Sequence, residues 1–454
     1  MFRLKSPVPE DRLLFSNRDL LQLMLPLIAE QFLVIFVGLV DTAMVSYLSE
    51  AAVSGVSLVD MVNQLIIQVL LALATGGAVI SAQYIGHKEA HKSCEAANQL
   101  YLLVLLIGLG LMVFFMAARR PFLRLFFGSI DADVMAEAMT YLFISAMSYP
   151  FLALYNAGTA IFRSMKKTYI TLLMSLLMNA VNIVCNTIFI FGMNMGVAGA
   201  ALGSLAGRAA AAVTVSILLM NPKHQVHLVK PVRPLLDRKM AGRILYIAVP
   251  NGTENGMFQL GKILVLSIIA TFGTTQIAAN AVANSISGVA VIPGLAIGTA
   301  LITVVGQCVG ARDYPQAEYF IKKMVGIAGV VMFVWNGLLL LARPLLLMLF
   351  SLSDETRQLA YTLLWFQCGF GMFLWVPAFV LPNGLRAAND VRFTMVVGVF
   401  SMWMFRVGFS LVLGRWLGWG AVGVWSAMVL DWIFRLSFFI WRFRSGKWKR
   451  VQLI

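Results

Sequence analysis

Five acidic residues lie inside long apolar stretches of the chain: Glu30, Asp41, Asp60, Glu254 and Asp431. A charged side chain in hydrocarbon costs roughly 2.5–3.5 kcal/mol on an insertion scale, so each is a candidate for function. Glu30 and Asp41 are eleven residues apart. In a helix that spacing leaves a net rotation of about 20° and a separation of roughly 16 Å, so both lie on one face. Two acids on an otherwise apolar face suggest a surface that is wet or turned toward a bundle. Glu254 follows Pro250 and Gly252. Proline removes a backbone hydrogen bond and bends a helix, and a bend beside a buried acid suits a gate or a cation site. Lys262 lies two turns further on, turned about 80° away; it either neutralises part of Glu254 or pairs elsewhere. Asp431 and Arg435 stand at i and i+4 with the acid first, the favourable order for a helix ion pair. Asp60 and Arg406 have no partner identifiable from sequence. Asn179, Asn182 and Asn186 form a stripe about 60° wide. Their amides either ligate a small cation, hydrogen-bond an acid on a facing helix, or only hold helices together. His87 and His91 have an HxxxH spacing, but they sit beside Lys88, Glu89 and Lys92, which reads as a solvated loop rather than a metal site.

These residues need elements to hold them, and composition says which kind. Of 454 residues 60% are hydrophobic and 12% charged, where a soluble domain carries about 25% charged residues. No soluble chain could bury that much apolar surface. The net charge is +15, yet the basic residues stand singly or in small groups between apolar runs, not clustered on one polar face, so nucleic acid is not an expected partner. Four cysteines lie far apart with no CxxC, which suggests buried thiols. The first 19 residues are polar and of mixed charge, unlike a cleavable signal peptide.

Twelve apolar segments follow, at about 20–48, 52–80, 97–118, 139–162, 169–191, 197–220, 243–271, 274–305, 321–341, 357–384, 393–414 and 419–441. Each is near or above the ~20 residues a helix needs to cross hydrocarbon, so the expected fold is an all-α integral membrane protein with twelve transmembrane helices. Assigning alternate loops to alternate sides puts 25 of the 35 basic residues on the side of both termini. The positive-inside rule makes that side cytoplasmic. The halves repeat at an offset of 224: Pro26 with Pro250, Glu30 with Glu254, Thr75 with Thr299, Gln83 and Gly86 with Gln307 and Gly310, Gly196 and Gly199 with Gly420 and Gly423. With one residue less, Arg163 matches Arg386. The expected organisation is an N-lobe of helices 1–6 over 1–220, a cytoplasmic linker over 221–242 containing Lys223, Lys230, Arg233, Arg238 and Lys239, and a C-lobe of helices 7–12 over 243–454. An even number of helices per repeat makes the two lobes parallel pseudo-symmetric bundles, an arrangement of alternating-access transporters. Nothing resembles the cluster of His, Asp or Ser that a membrane enzyme needs at one interface.

The string Val40-Asp41-Thr42-Ala43-Met44-Val45 resembles the first-helix signature of the multidrug and toxic compound extrusion (MATE) transporters of the MOP superfamily, in their prokaryotic NorM-like and DinF-like branches. Gly196 to Leu202 resembles their sixth-helix signature, Gln83 with Gly86 their second-helix end, and Arg163 and Arg386 each close a span. The similarity covers essentially the whole chain. It implies an antiporter that exports organic, often cationic, compounds across the cytoplasmic membrane in exchange for H⁺ or Na⁺. It implies no other cofactor, no partner beyond substrate and membrane lipids, and a monomer. By that resemblance Asp41 matches the first-helix aspartate used in cation or proton coupling, with Na⁺ a candidate at that site. Asn156, Asn182 and Ser204 resemble other polar members of the site, and Glu254 the seventh-helix glutamate of the NorM-like branch. Glu30 and Lys262 are candidate cleft residues. The chain departs from the pattern twice. Asn186 stands where DinF-like members usually have aspartate, and the tenth segment, Tyr361 to Leu381, contains no acid. Both departures point to coupling centred on Asp41. Burial disfavours the charged carboxylate, which would let Asp41 take up a proton near neutral pH. The alternative within the superfamily is a lipid-linked oligosaccharide flippase, for which Lys262 and Arg406 are the pointers.

Overall fold

The computed structural model describes residues 9, 12–128, 131–229, 236–350, 352–451 and 453. Lys230 and Arg233 of the expected linker lie outside the described residues. Helices occupy every expected apolar segment: α1 Asn17–Ser46, α2 Glu50–Gly86, α3 Ala90–Phe127, and α4 in two pieces, Ala132–Met147 and Tyr149–Ser164. Next come α5 Thr168–Gly192, α6 Gly196–Leu219 and α7 Arg238–Ala270. Then α8 runs as Thr274–Ala290 and Ile292–Gly310, followed by α9 Tyr314–Met348, α10 Asp354–Ala387, α11 Val391–Trp416 and α12 Gly420–Arg444.

Among the described residues, ten helices are long and apolar enough to span a membrane, and the α4 pair, bent by 46°, makes an eleventh. The remaining helix, α7, has 33 residues, about 50 Å of helix. Its apolar character is broken by Asn251, Thr253, Glu254, Asn255, Gln259 and Lys262. It begins at Arg238, earlier than the expected 243, because helix formation does not stop where apolarity does. The bends have local causes: Pro150 and Pro293 open the second pieces of α4 and α8, where a missing backbone N–H costs nothing.

The repeat is visible in the backbone. Left-handed residues recur at matching positions: Lys88 (φ 62°) with Arg312 (φ 58°), Lys166 (φ 64°) with Asn389 (φ 69°), Asn194 (φ 53°) with Gly418 (φ 72°), and Gly196 (φ 58°) with Gly420 (φ 57°). Each sits in a tight turn between consecutive helices, where one left-handed residue reverses the chain.

By Cα packing the chain forms two compact units, Leu25–Gly252 and Met1–Met24 with Thr253–Ile454. In the first, α5 and α6 approach closely over a GxxxGxxxG stripe: Gly199 faces Phe189, Gly203 faces Asn186, and Gly207 faces Met178 and Asn182. Small residues let membrane helices meet backbone to backbone. In the second, Gly261 of α7 receives Met402 of α11, and Gly294 and Gly298 of α8 receive Trp375 and Asn383 of α10. Three of these helices widen locally into π-helical turns, at Thr187–Gly192 in α5, Phe366–Phe370 in α10, and Met402–Gly408 and Ser410–Trp416 in α11.

Candidate functional site

Asp41 comes late in α1 and reaches the polar face of α5. Its Oδ1 accepts a hydrogen bond from Asn186 Nδ2 at 2.9 Å. With the Asn182 amide turned so that its nitrogen faces the acid, the orientation that satisfies both of its ends, Nδ2 donates to the same oxygen at 2.9 Å. The Asn182 carbonyl then accepts from Ser204 N–H (3.3 Å) and Ser204 Oγ (3.1 Å) on α6. Four of the expected residues, Asp41, Asn182, Asn186 and Ser204, are thus one connected set. Gly203 makes it possible, since a Cβ there would overlap the Asn186 amide. Asn156 on α4 is buried, but its Nδ2 has no hydrogen-bond partner among the described residues and no bond joins it to Asp41. The charged groups that act on Asp41 are Asp60 and Arg208. Arg208 donates to Ser148 Oγ at 2.6 Å. Asp60 accepts from Asn63 (3.3 Å), whose own carbonyl accepts from Tyr149 (2.9 Å). Asp60 therefore has a neutral partner, which the sequence did not reveal.

Glu30 is buried and fully occupied. Arg163 Nη2 donates to its Oε1 at 2.6 Å and Thr171 Oγ1 to its Oε2 at 2.9 Å. The repeat-related acid is held in the same way: Arg386 Nη2 donates to Glu254 Oε2 at 2.7 Å. The residues matched between the halves, Glu30 with Glu254 and Arg163 with Arg386, are therefore two copies of one ion pair. A second cation, Arg435, lies 3.8 Å from Glu254 Oε1. Gly398 leaves room for the Glu254 carboxylate, which a Cβ would overlap. Arg435 also makes the expected i, i+4 bond to Asp431 (2.8 Å) and donates to Gly398 O (2.9 Å). Ser401 donates to Asp431, and Arg406 stands 3.8 Å from its other oxygen. Lys262 does not neutralise Glu254: it is exposed and forms no ion pair among the described residues. Arg386 and Arg435 do that work for Glu254, and sequence spacing within one helix could not show it, because they come from α10 and α12 while Glu254 is on α7.

The MatE family profile matches residues 26–188 and 250–412, and the second match begins and ends 224 residues after the first. Full-length relatives include an uncharacterized transporter, YisQ, of Bacillus subtilis, 26% identical over 98% of this chain and 96% of its own length. A protein of Thermotoga maritima named a probable multidrug resistance protein, NorM, is 24% identical over 99% of this chain and 97% of its own. Solved structures with the same fold include a crystal structure of a MATE protein in complex with MaL6, at a TM-score of 0.89 and 20% identity, covering 96% of this chain and 97% of that one. Another is an outward-facing MATE family transporter of the MOP superfamily, at a TM-score of 0.89 and 20% identity, covering 95% and 96%. With its doubled family match, its multi-pass helical fold and the paired acid–arginine clamps of its repeats, the chain belongs to the MATE family of membrane transporters.

Proposed function

We propose that this protein exports organic, often cationic, compounds across the cytoplasmic membrane by alternating access in exchange for H⁺ or Na⁺, with Asp41 as the coupling carboxylate. The observation that carries this reading is the difference between the buried acids. Glu30, Glu254 and Asp431 each have an arginine partner. Asp41 instead meets two neutral amides and no ion-pair partner among the described residues. A carboxylate held by neutral donors keeps its charge available for a proton or a small cation, whereas one closed by arginine does not. The name of the Thermotoga relative supports export of drug-like molecules, and the arrangement of basic residues supports cytoplasmic termini.

With Glu254 closed by Arg386 and Arg435, the reading assigns one ion to each cycle. A charge moving down 100 mV supplies about 2.3 kcal/mol, a ratio of roughly 50 at 1.4 kcal/mol per tenfold. Exporting a monovalent cation costs the same electrical term, so a one-for-one exchange is electroneutral and draws only on the ion gradient. Proteoliposomes given a pH gradient, a sodium gradient or a membrane potential separately test this. One of the ion gradients should drive efflux of a fluorescent cation, the potential alone should not, and Asp41→Asn should abolish the driven component. Undiminished driven efflux in Asp41→Asn would end the assignment.

A further inference from the structure

The unit that contains Thr253–Ile454 holds more buried or helix-borne cations than its acids can match. Glu254 is matched by Arg386 at 2.7 Å, and Asp431 by Arg435 at 2.8 Å. Near these acids, Arg406 has only a distant acid partner and Lys262 has none among the described residues. Arg406 touches Asp431 only at 3.8 Å, on an oxygen that has no hydrogen-bond partner, and its guanidinium lies 5.6 Å over the ring of Phe258. Phe258 is one turn before Lys262 on α7, so Arg406 of α11 lies beside the α7 face from which Lys262 projects. The packing of Met402 onto Gly261 brings the two helices together at that level. The charge that acts on Lys262 is Arg406, a like charge. Arg406 keeps one distant acid, Asp431, and Lys262 has none among the described residues, so the like charges leave positive charge for an anion to match. Arg406 also sits in a π-helical turn, Met402–Gly408, a distortion that is frequent at functional sites.

The repeat sharpens the contrast. At the offset of 224 that fixes both ends of the family match, Val265 stands where Asp41 is in the first half and Lys262 where Gly38 is. The position that holds an acid with amide donors in one half holds a valine beside cations in the other.

We propose that Lys262 and Arg406 form a binding site for an anionic group, a carboxylate or phosphate carried on an amphipathic organic molecule. Arg406 presents a planar fork to two oxygens and Lys262 a mobile point charge, while Phe258 supplies an apolar wall. The site stands independently of the role of Asp41.

Two probes with one fluorophore and opposite charge test it: dansylglycine, an anion, and dansylcadaverine, a cation. Binding is measured by equilibrium dialysis against the full-length protein in phosphatidylcholine nanodiscs, with empty nanodiscs subtracted. Charge-assisted hydrogen bonds contribute 1.5–3 kcal/mol, so Lys262→Gln should weaken dansylglycine by about tenfold or more. Lys262→Arg should keep most of that affinity, and dansylcadaverine should be unaffected by either. Arg406→Gln should act like Lys262→Gln; Arg406→Lys keeps the charge near Asp431 and guards against a folding defect. Equal dansylglycine affinity in wild type and Lys262→Gln overturns the proposal, as does an equal loss in Lys262→Arg. Competition then separates the sources of the anion. Displacement by phosphatidylglycerol in the nanodisc supports the site with a lipid headgroup as its ligand. Displacement by inorganic phosphate alone supports it with a soluble anion. Displacement by neither overturns it. Failure of the Asp41→Asn efflux test would leave these binding results untouched, so the two readings fall separately.

Discussion

A carboxylate inside an apolar bundle is either closed by a cation or left open to bind one, and its neighbours decide which. Glu30 and Glu254 look alike in sequence to Asp41: each is an acid on a long apolar helix. Their neighbours differ. Arg163 and Thr171 close Glu30, and Arg386 and Arg435 close Glu254, while Asp41 has only amides. Removing one partner of a buried ion pair typically destabilises by about 3–5 kcal/mol, because the other charge is left uncompensated. Glu254→Gln and Arg386→Gln should therefore each lower the thermal unfolding midpoint in detergent. The double variant should lose less than the two losses added. An additive double variant would show that the pair is not the unit of stabilisation. Asp41→Asn should leave the midpoint close to wild type, since it removes no ion pair.

Elements set where these side chains can reach. The stripe Gly199, Gly203 and Gly207 brings α6 against α5, so Asn182 and Asn186 stand beside Ser204 and face α1. Gly203→Ala should push the Asn186 amide off Asp41 and reduce ion-driven efflux, with helix content by circular dichroism unchanged. Unaltered efflux would show that the Asn186–Asp41 bond is dispensable. The stripe was present in the sequence as a GxxxGxxxG run and is the signal that would have pointed to α5 and α6 as a pair. The segment after α6 is a second element whose state depends on its neighbours. Lys167 Nζ donates to His224 Nδ1 at 2.6 Å, which requires neutral histidine. Cys94 Sγ lies 3.8 Å from His227 Nδ1, and Val226 is buried. Burial, then the charges of Lys167 and His227, hold the His224 imidazolium below its ordinary range. A group with a lowered folded value gives its stabilisation above the free value and loses it as pH falls, here below about 6.5. The amides of Val226 and Leu228 should exchange faster with solvent at about pH 5.5 than at about pH 7.5 after correction for intrinsic rates. His224→Gln should remove the difference; a difference that survives would assign it to another group.

For the whole molecule, the sequence carried the fold. Apolar runs of ~20 residues can satisfy their backbone in hydrocarbon only as helices. The helical spans follow from that constraint, and the repeat at 224 and the placement of basic residues are read separately along the chain. An even span count and the positive-inside rule predict that reporter fusions at both ends of the chain report the cytoplasmic side. A single end exposed outside would break the assignment. Asp41, Asn182 and Asn186 were also legible, because polar side chains in apolar helices stand out by their cost, whereas Ser204 was named only through the family resemblance. Their partnerships were not. Sequence left open whether Lys262 neutralises Glu254 two turns away on the same helix or pairs elsewhere, and it is Arg386 and Arg435, from α10 and α12, that close that acid. Hydropathy depends on the residues of one segment and can be read along the chain. Ion pairing depends on distances of a few ångströms between helices hundreds of residues apart, and only tertiary packing sets those. The sequence thus determined which charges enter the membrane, and the tertiary structure decided which of them are silenced and which remain available to an ion or a ligand.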